Sequence, residues 1–395
     1  MIPSADWPLG LACLGQALGR DLQRAARSAG GGRALWRADR DALGRALGVT
    51  GAELEAAVAA RRRFDAAAEQ GRLREGGIVH VPATDPRYPR RLGELHDPPF
   101  GLFARGAVER ALAAVAAGPV VAIVGSRRAT APGRALAREL AGRLGERGAV
   151  IVSGMAHGID ASAHEGALEA GGITVAVLGC GIDVAYPRRN RHLAGRIAES
   201  GALVSEYWPG TAPAPWRFPA RNRIVAGLAQ AVAVVEAGRR SGALITADFA
   251  LELGRPVLAV PGWPGALASE GCNGLLRAGA GLLEGPEDVV AELPEAGWSA
   301  ASPAAAAALD GLGGRVHALL QREPMGADRL AEELEEDAAA VSAALAMLEV
   351  EGLAVRGKGQ RFWAAPLRGP PPGSRETADD APGDPGEGVA PPLRG

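Results

Sequence analysis

Short apolar runs alternate with stretches of helical spacing between residues 121 and 281. Each of six such runs stops at small or turn-forming residues before the next helix-like stretch begins; the runs are VAIV, AVIVS, TVAVLG, ALVS, AVAVV and PVLAV. Strands that alternate with helices are typical of a parallel sheet covered on both faces. We therefore predict an α/β fold with an open parallel sheet, which binds ligands at the carboxyl ends of its strands.

The segments that flank this sheet have other patterns. Near the start of the chain, apolar residues at three- and four-residue spacing with glycine punctuation indicate short helices. Pro/Ala/Ser-rich sequence indicates a linker after the sheet, and the last residues have no periodicity and many Pro, Gly and acidic residues. We predict a helical domain, a sheet domain that begins with one short strand, a linker, a winged-helix domain and a disordered tail, with bounds 1–75, 76–293, 294–308, 309–367 and 368–395.

The winged-helix prediction rests on three helical stretches followed by two short strands about the turn Gly357-Lys358-Gly359. The third stretch, DAAAVSAALAMLEVEG, contains no Arg, Lys, Asn or Gln. These are the side chains that read base edges and bind phosphates. We therefore favour a protein contact or a vestigial role over duplex recognition for this domain, and a packing role without DNA contact for the first helical domain.

The overall composition does not point to nucleic acid, because the formal net charge is −2. Residues 121–260 nevertheless hold sixteen arginines and eleven acidic residues, so positive charge is concentrated on the sheet. Arginine outnumbers lysine throughout the chain, and a GC-rich genome explains that bias; only the placement of the arginines is informative. No apolar run reaches the roughly 20 residues of a membrane span, and the first residues lack a secretory signal pattern. A soluble, cytoplasmic protein is expected.

Backbone N–H groups and arginines are the candidate chemistry at the sheet edge. The turn Gly125-Ser126-Arg127 is not a dinucleotide fingerprint, because GxGxxG is absent, but such a turn suits a phosphate. The segment GRRSG ending at Gly242 opens a helix and offers a second seat for an anion. Two arginine-rich loops, 186–191 and 208–223, follow the third and fourth strands. If both loops lie at the same edge, their guanidinium groups bind phosphates and stack on unpaired bases.

Simpler interpretations of these residues remain open. In one interpretation, Arg127 pairs with an acidic residue. In another, the Arg-Asn-Arg unit at 221–223 holds its loop in place through backbone hydrogen bonds. The aromatic side chains of Trp208, Trp216 and Phe218 either stack on bases or fill the core beneath the proline-rich loop, and the second alternative is favoured.

Metal and hydrolase sites are not expected. His157, Asp160 and His164 lie at i, i+3 and i+7, which predicts one helical face, but no further carboxylate accompanies them. We expect a hydrogen-bonded structural cluster. Ser153 lacks the GxSxG elbow of a nucleophile. Three cysteines form no CxxC pair, so neither a zinc site nor a disulfide framework is predicted.

The motifs occur in an order that resembles the DprA/Smf family of DNA-processing proteins. The resemblance is collinear from about residue 88 to 289 and rests on Tyr88-Pro89-Arg90-Arg91-Leu92, Gly125-Ser126-Arg127, Ser153-Gly154-Met155-Ala156 with Gly158-Ile159-Asp160, Tyr186-Pro187 with Asn190, Phe218-Pro219-Ala220-Arg221-Asn222-Arg223, Ser241-Gly242 and Ala259-Val260-Pro261-Gly262. It implies an extended Rossmann-like parallel sheet core, an N-terminal helical domain of the SAM or helix-hairpin-helix kind and a C-terminal winged-helix domain.

The resemblance also implies a function. Single-stranded DNA is expected to bind in the sheet-edge pocket without a cofactor or metal, and the protein is expected to be a non-enzymatic homodimer that loads the RecA recombinase during natural transformation. Single-strand-binding protein is a further candidate partner. Arg127 and Arg188 are the first expected DNA contacts; the full set is Gly125, Ser126, Arg127, Ser153, Gly154, Arg188, Arg189, Asn190, Arg191, Arg217, Arg221, Arg223, Ser241 and Gly242.

Two alternative functions are compatible with the same fold and motifs. A nucleoside-monophosphate phosphoribohydrolase of the LOG class has a similar fold, but the GGxGTxxE motif with its working glutamate is replaced here by SGALITA. A winged-helix transcription factor with a regulatory α/β domain is disfavoured by the donor-poor third helix.

Overall fold

The computed structural model describes residues 6–20, 22–299, 311–320, 322–350, 354–356 and 361–364. The chain divides into two compact units, Met1–Pro303 and Ala304–Gly395. The helices of the first unit are α1 (Trp7–Leu18), α2 (Gln23–Ser28), α3 (Gly32–Arg37), α4 (Arg40–Leu47), α5 (Gly51–Arg63), α6 (Ala66–Glu75), α7 (Val108–Ala117), α8 (Ala131–Glu146), α9 (Ile159–Glu169), α10 (Arg191–Ser200), α11 (Arg217–Leu228), α12 (Gly242–Glu252), α13 (Glu270–Arg277) and α14 (Pro286–Glu292). Its strands are β1 (Val79–Pro82), β2 (Gly101–Gly106), β3 (Val120–Val124), β4 (Val150–Ser153), β5 (Thr174–Val177), β6 (Ala202–Ser205), β7 (Ala231–Val234), β8 (Val257–Ala259) and β9 (Gly281–Leu282).

These strands form one nine-stranded sheet in the order β1-β2-β6-β5-β4-β3-β7-β8-β9. The pairs from β6 to β9 are parallel, whereas β2 runs antiparallel to β6 and β1 antiparallel to β2. The predicted parallel α/β core is confirmed. The strands β2 and β9 and the helix α7 were not predicted, because they are short or carry no turn signal that separates them from their neighbours.

The sheet is buried on both faces, which explains why its central strands are continuous apolar runs. Alternate residues of β3 point to opposite sides: Val120, Ala122 and Val124 join one core, while Val121 and Ile123 join the other. Helices α7, α11, α12 and α13 cover the first face, and α8, α9 and α14 cover the second. In the sheet, β3 lies between β4, which follows it in the chain, and β7. A crevice therefore opens at the carboxyl ends of β3 and β7.

The described residues 6–20 and 22–75 form six helices rather than the three predicted. Two predicted helices are each divided by an aspartate that caps a new helix: Asp39 accepts a hydrogen bond from Ala42 N at 2.8 Å, and Asp65 accepts one from Ala67 N at 3.0 Å. Apolar spacing continues across both breaks, so the pattern alone did not locate them. Leu9 of α1 packs in the same cluster as Phe103 of β2, so these helices share a core with the sheet.

Two segments predicted as irregular differ in the structure. The arginine-rich loop 208–223 is helical from Arg217 onward, as the beginning of α11. The first part of the predicted linker packs onto the sheet unit: the Trp298 indole donates to Leu293 O at 2.8 Å, and Ser299 N donates to Arg147 O at 2.9 Å. The remaining predicted linker residues lie outside the described part of the chain.

The second unit contains α15 (Leu312–Leu320), α16 (Ala327–Leu334), α17 (Ala338–Val350) and a small sheet in the order β10-β12-β11, from β10 (Met325–Gly326), β11 (Ala354–Arg356) and β12 (Arg361–Ala364). Val316, Leu330, Leu345 and Phe362 are among the residues of its core. The predicted winged-helix order of elements is confirmed. The predicted turn 357–359 and the predicted disordered tail lie outside the described residues. Within the described ranges, none of the helices has the length and apolar character needed to cross a membrane.

Candidate nucleic-acid interface

A cavity of about 500 Å³ lies at the carboxyl ends of β3, β4 and β7, where the topology places the crevice. The turn after β3 forms one side and the loop after β4 forms the floor. The first turns of α11 and α12 form the other side. Its lining includes Gly125, Ser126, Arg127, Arg128, Gly154, Asp160, Phe218, Arg221, Asn222, Arg240, Ser241 and Gly242.

The turn after β3 is held by close packing and by one buried carboxylate. A Cβ atom at Gly125 would lie 2.5 Å from the Ile159 side chain, so only glycine fits there. Ser126 N donates to Glu236 O at 2.6 Å. The Glu236 carboxylate accepts hydrogen bonds from Thr130 N at 3.1 Å and Thr130 Oγ1 at 2.5 Å. Because the backbone is fixed before a ligand arrives, the following arginines are presented at low entropic cost.

Three exposed arginines surround the opening: Arg127 and Arg128 from the β3 turn, and Arg240 before α12. The guanidinium carbon of Arg127 lies 5.3 Å from the centre of the Phe218 ring. Phe218 in turn stacks on Tyr186, with ring centres 5.1 Å apart and planes at 25°. Guanidinium groups beside a flat aromatic surface suit a ligand that carries phosphates and unpaired bases.

The floor contains a buried arginine. Arg221 is 4% exposed and donates to Gly154 O at 2.7 Å and also to Val177 O. A Cβ atom at Gly154 would lie 2.6 Å from the Arg221 guanidinium and 2.8 Å from an Asp160 carboxylate oxygen, so the glycine makes room for both side chains. Burial raises the pKa of the Asp160 carboxyl, and the nearby Arg221 charge opposes that shift. Burial disfavours the charged form of Arg221 as well, which for a cation lowers the pKa. Arg221 therefore supports the floor through its bonds to backbone oxygens.

The start of α12 completes the cavity. Ser241 caps this helix, and its hydroxyl accepts a hydrogen bond from Ala243 N at 3.3 Å. Asn222 of α11 donates to Gly242 O at 3.1 Å, which ties the two helices together. The positive end of the α12 dipole thus faces the same space as the three exposed arginines and favours an anion there.

The structure brings seven of the fourteen predicted site residues to this cavity: Gly125, Ser126, Arg127, Gly154, Arg221, Ser241 and Gly242. It does not bring Ser153, whose buried hydroxyl donates to Ile123 O at 2.6 Å. Asn190 donates to Met155 O at 2.9 Å and so anchors its own loop to the loop after β4. Both side chains bond to backbone oxygens and neither lines the cavity, so their contact with a ligand stays a prediction.

The remaining predicted arginines lie elsewhere. Arg223 is buried on the opposite side of α11, where it pairs with Glu206 at 2.7 Å and Asp97 at 3.1 Å, so it does not rim the cavity. Arg217 also faces that side of the helix. A third group is exposed but does not line the cavity: Arg188, Arg189 and Arg191. They follow Tyr186, and its stack on Phe218 brings their loop to the rim.

His157, Asp160 and His164 do not share one helical face. Helix α9 begins at Ile159, so the exposed His157 precedes it. Asp160 accepts a hydrogen bond from Ala156 N at 3.3 Å, and His164 Nδ1 lies 2.7 Å from Thr174 Oγ1. Burial lowers the pKa of His164 to about 3, so this imidazole is neutral at pH 7. Among the described residues, no cluster of three or more His, Cys, Asp or Glu has a geometry that could hold a metal.

Sequence reasoning missed Arg128, Arg240 and the central place of Phe218. The two arginines directly follow or precede predicted turns, so their position at a strand end was an available signal. Phe218 was considered for base stacking, but its role depends on the helical start of α11, which turns the ring toward Arg127.

Comparisons with known proteins agree over most of the chain. The family model of DNA recombination-mediator protein A matches residues 80–294, and that of the DprA winged helix domain matches residues 300–360. A DNA processing protein DprA of Mycobacterium tuberculosis is 42% identical over 330 residues, which cover 78% of this chain and 82% of that protein.

Two solved structures share the fold. The DNA processing protein A of Streptococcus pneumoniae superposes with a TM-score of 0.61 and 34% identity, covering 71% of this chain and 95% of that one. A structure of the Helicobacter pylori protein, described for its single-stranded DNA binding mode, has a TM-score of 0.50 and 30% identity, covering 55% of this chain and 96% of that one.

Proposed function

The chain belongs to the DprA/Smf family of DNA-processing proteins, and from this premise we propose that it binds single-stranded DNA in the cavity at the carboxyl ends of β3, β4 and β7. One observation carries the proposal: three exposed arginines and the start of α12 line the same cavity as Phe218, whose ring stacks on the exposed Tyr186. Phosphates and unpaired bases are recognised by these two kinds of group together. The relative from H. pylori, described as binding single-stranded DNA, supports the same ligand.

The proposed contacts have distinct roles. The exposed guanidinium groups of Arg127, Arg128 and Arg240 bind phosphates, and the backbone N–H group of Gly242 adds a donor at the start of α12. Phe218 receives a base. The rim arginines Arg188, Arg189 and Arg191 attract the backbone on either side of the cavity without touching its floor.

Single strands are preferred because of the aromatic stack. A base in a duplex is paired and covered by its neighbours, so it reaches a ring inside a cavity only after unstacking, which costs a few kcal/mol. Phosphate contacts alone are available from either form of DNA. Binding is not sequence-specific, because every base has a flat face.

We propose that the cavity has no catalytic activity. Glu236, a buried carboxylate beside the β3 turn, is occupied by Thr130 N and Thr130 Oγ1, and the glutamate motif of nucleotide-cleaving relatives of this fold is replaced by SGALITA. Release of free base from AMP by the purified protein would contradict this part of the proposal.

The proposed partners are RecA and a second copy of the chain. Large apolar side chains are exposed at the β8–β9 edge of the sheet, with Trp263 85% and Leu267 76% exposed and Leu282 on the edge strand. An apolar surface at a sheet edge favours a symmetric contact between copies. Two cavities joined in this way engage one strand with a high effective concentration, which raises avidity by roughly a hundredfold or more.

We expect the full chain to be dimeric at micromolar concentration and to accelerate RecA filament formation on DNA coated with single-strand-binding protein. Light scattering and a RecA ATPase lag measure the two properties. Leu267→Asp with Leu282→Asp should shift the protein to a monomer, because two charges are placed on the apolar edge, whereas Leu251→Asp on α12 leaves the mass unchanged. A monomeric wild type, or an unchanged RecA lag, would contradict the partner assignment while leaving DNA binding in place.

A further inference from the structure

We call the cavity at the carboxyl ends of β3, β4 and β7 the DNA cavity. A second cavity, of about 240 Å³, lies on the other side of α11 from it. We call it the Trp216 cleft; α1 and the loop after β6 form its other walls, and its lining includes Gln16, Tyr207, Thr211, Trp216 and Arg217. It is smaller than the pockets of about 300–1,000 Å³ that hold drug-sized ligands. Its size and aromatic lining suit one flat ring system.

The two cavities share helix α11 as a common wall. Residues 218, 219, 221, 222 and 225 line the DNA cavity, whereas residues 216, 217, 220 and 223 line the Trp216 cleft. Successive residues of a helix are rotated by about 100°, so these two sets lie on opposite faces. The N-terminal end of α11 is therefore the point where a chain leaving one cavity reaches the other by the shortest path.

The entrance of the cleft presents an ordered aromatic surface. The guanidinium carbon of Arg217 lies 4.8 Å from the centre of the Trp216 ring and 5.3 Å from that of Tyr207. Arg217 also donates to Ala212 O, which fixes the group between the two rings. Trp216 remains 56% exposed although it is one of the largest apolar side chains. A ring that is held in place on one side and is more than half exposed offers a surface on which a further base stacks.

We propose that the Trp216 cleft is a second base-binding site for the same DNA strand. The strand places one base over Phe218, crosses the N-terminal end of α11, and places a later base on Trp216. Arg217 supplies the positive charge for the phosphate at the crossing. Inside the cleft, Thr211 Oγ1 donates to Gln16 Oε1 at 3.1 Å, which fixes the Gln16 amide where it can contact a base edge.

This inference rests on the proposed function, because the first cavity must hold the strand before the cleft can receive its continuation. A second site adds a minimum length of the bound oligonucleotide, which the DNA cavity alone does not require. An oligonucleotide too short to reach across α11 fills only the DNA cavity, and a longer one fills both sites. Affinity should therefore rise in a step at the length that reaches Trp216.

The test is a titration of oligo(dT) lengths from about 4 to about 20 nucleotides against the wild type, Trp216→Ala and Trp216→Phe. Wild type and Trp216→Phe should show the step. Trp216→Ala should lose about 5- to 150-fold in affinity above the step, the range expected for one lost base stack, and bind shorter oligonucleotides as wild type does. Unchanged short-oligonucleotide binding also shows that the variant is folded.

Photocrosslinking locates the base directly. Oligonucleotides that carry 5-iododeoxyuridine at successive positions should crosslink to Phe218 from one position and to Trp216 from a later one. Equal affinities of wild type and Trp216→Ala at every length, an equal loss at all lengths, or no crosslink to Trp216 would overturn the second site. If wild type binds no oligonucleotide of any length, the proposed function itself fails.

Discussion

Reversing two charges at the DNA cavity, Arg127→Glu with Arg240→Glu, should weaken binding of a single-stranded oligonucleotide by about 100-fold or more. Each exposed guanidinium group is proposed to bind a phosphate, and a charge-assisted hydrogen bond contributes about 1.5–3 kcal/mol. The new carboxylates add repulsion. Fluorescence anisotropy with a labelled oligonucleotide at about 0.1 M salt measures the loss.

The control has the same change in charge at the other edge of the sheet. Arg105 pairs in register with Leu203, near the amino end of β6, and Arg110 is exposed on α7. Arg105→Glu with Arg110→Glu should reduce affinity only slightly, through the weaker field of the whole protein. If both double variants lose the same affinity, binding follows net charge, and the cavity is not the site.

Replacing the buried arginine, Arg221→Met, should lower the free energy of unfolding by about 3–5 kcal/mol. The change removes the donor to the Gly154 and Val177 carbonyls and leaves the Asp160 carboxylate without its neighbouring positive charge in a buried site. Removal of one of two opposite charges that interact in a buried site typically costs that much. Urea unfolding without DNA, followed by circular dichroism, measures the difference.

Two further variants separate stability from DNA contact. Arg221→Met with Asp160→Asn should recover part of the lost stability, since the unpaired buried charge is gone. Arg127→Met should change the free energy of unfolding by less than about 0.5 kcal/mol, as expected for an exposed side chain, and still weaken DNA binding. An Arg221→Met protein with wild-type stability would show that Arg221 does not support the cavity floor.

The parallel sheet and its functional edge were predictable because strand burial leaves a direct trace in the sequence. Strands covered on both faces are continuous apolar runs, and their carboxyl ends carry the turns with glycine and arginine. The same logic predicts Gly125, Arg127 and Ser241 at one edge of the sheet, and all three line one cavity. The winged-helix order followed from helical spacing and a glycine turn.

Side-chain direction was not predictable in the same way. Arg217, Arg221 and Arg223 were assigned to one loop, but they lie on a helix, where their side chains point to the cleft, the floor and a buried pair with Glu206. The prolines before α11 obscured its start, because a proline-rich segment is more often a loop. When a segment is a helix and not a loop, its successive side chains point in different directions around the helix axis, so its arginines reach different sites.

Break points within continuous apolar spacing were likewise missed. Asp39 and Asp65 each start a new helix through a side-chain cap, while the apolar residues on both sides keep helical spacing. The spacing of apolar residues indicates which residues are buried, whereas only the capping residue indicates where a new helix begins.

In the proposed function, this protein holds single strands by phosphates and unpaired bases together. The most direct measurement is a salt-titrated comparison of its affinity for single-stranded and duplex DNA of the same sequence. We expect tighter binding of the single strand by about 10-fold or more, with a log–log salt slope of about −2 for three phosphate contacts. Equal affinity for the two forms, or an affinity that does not fall as salt rises, would contradict it.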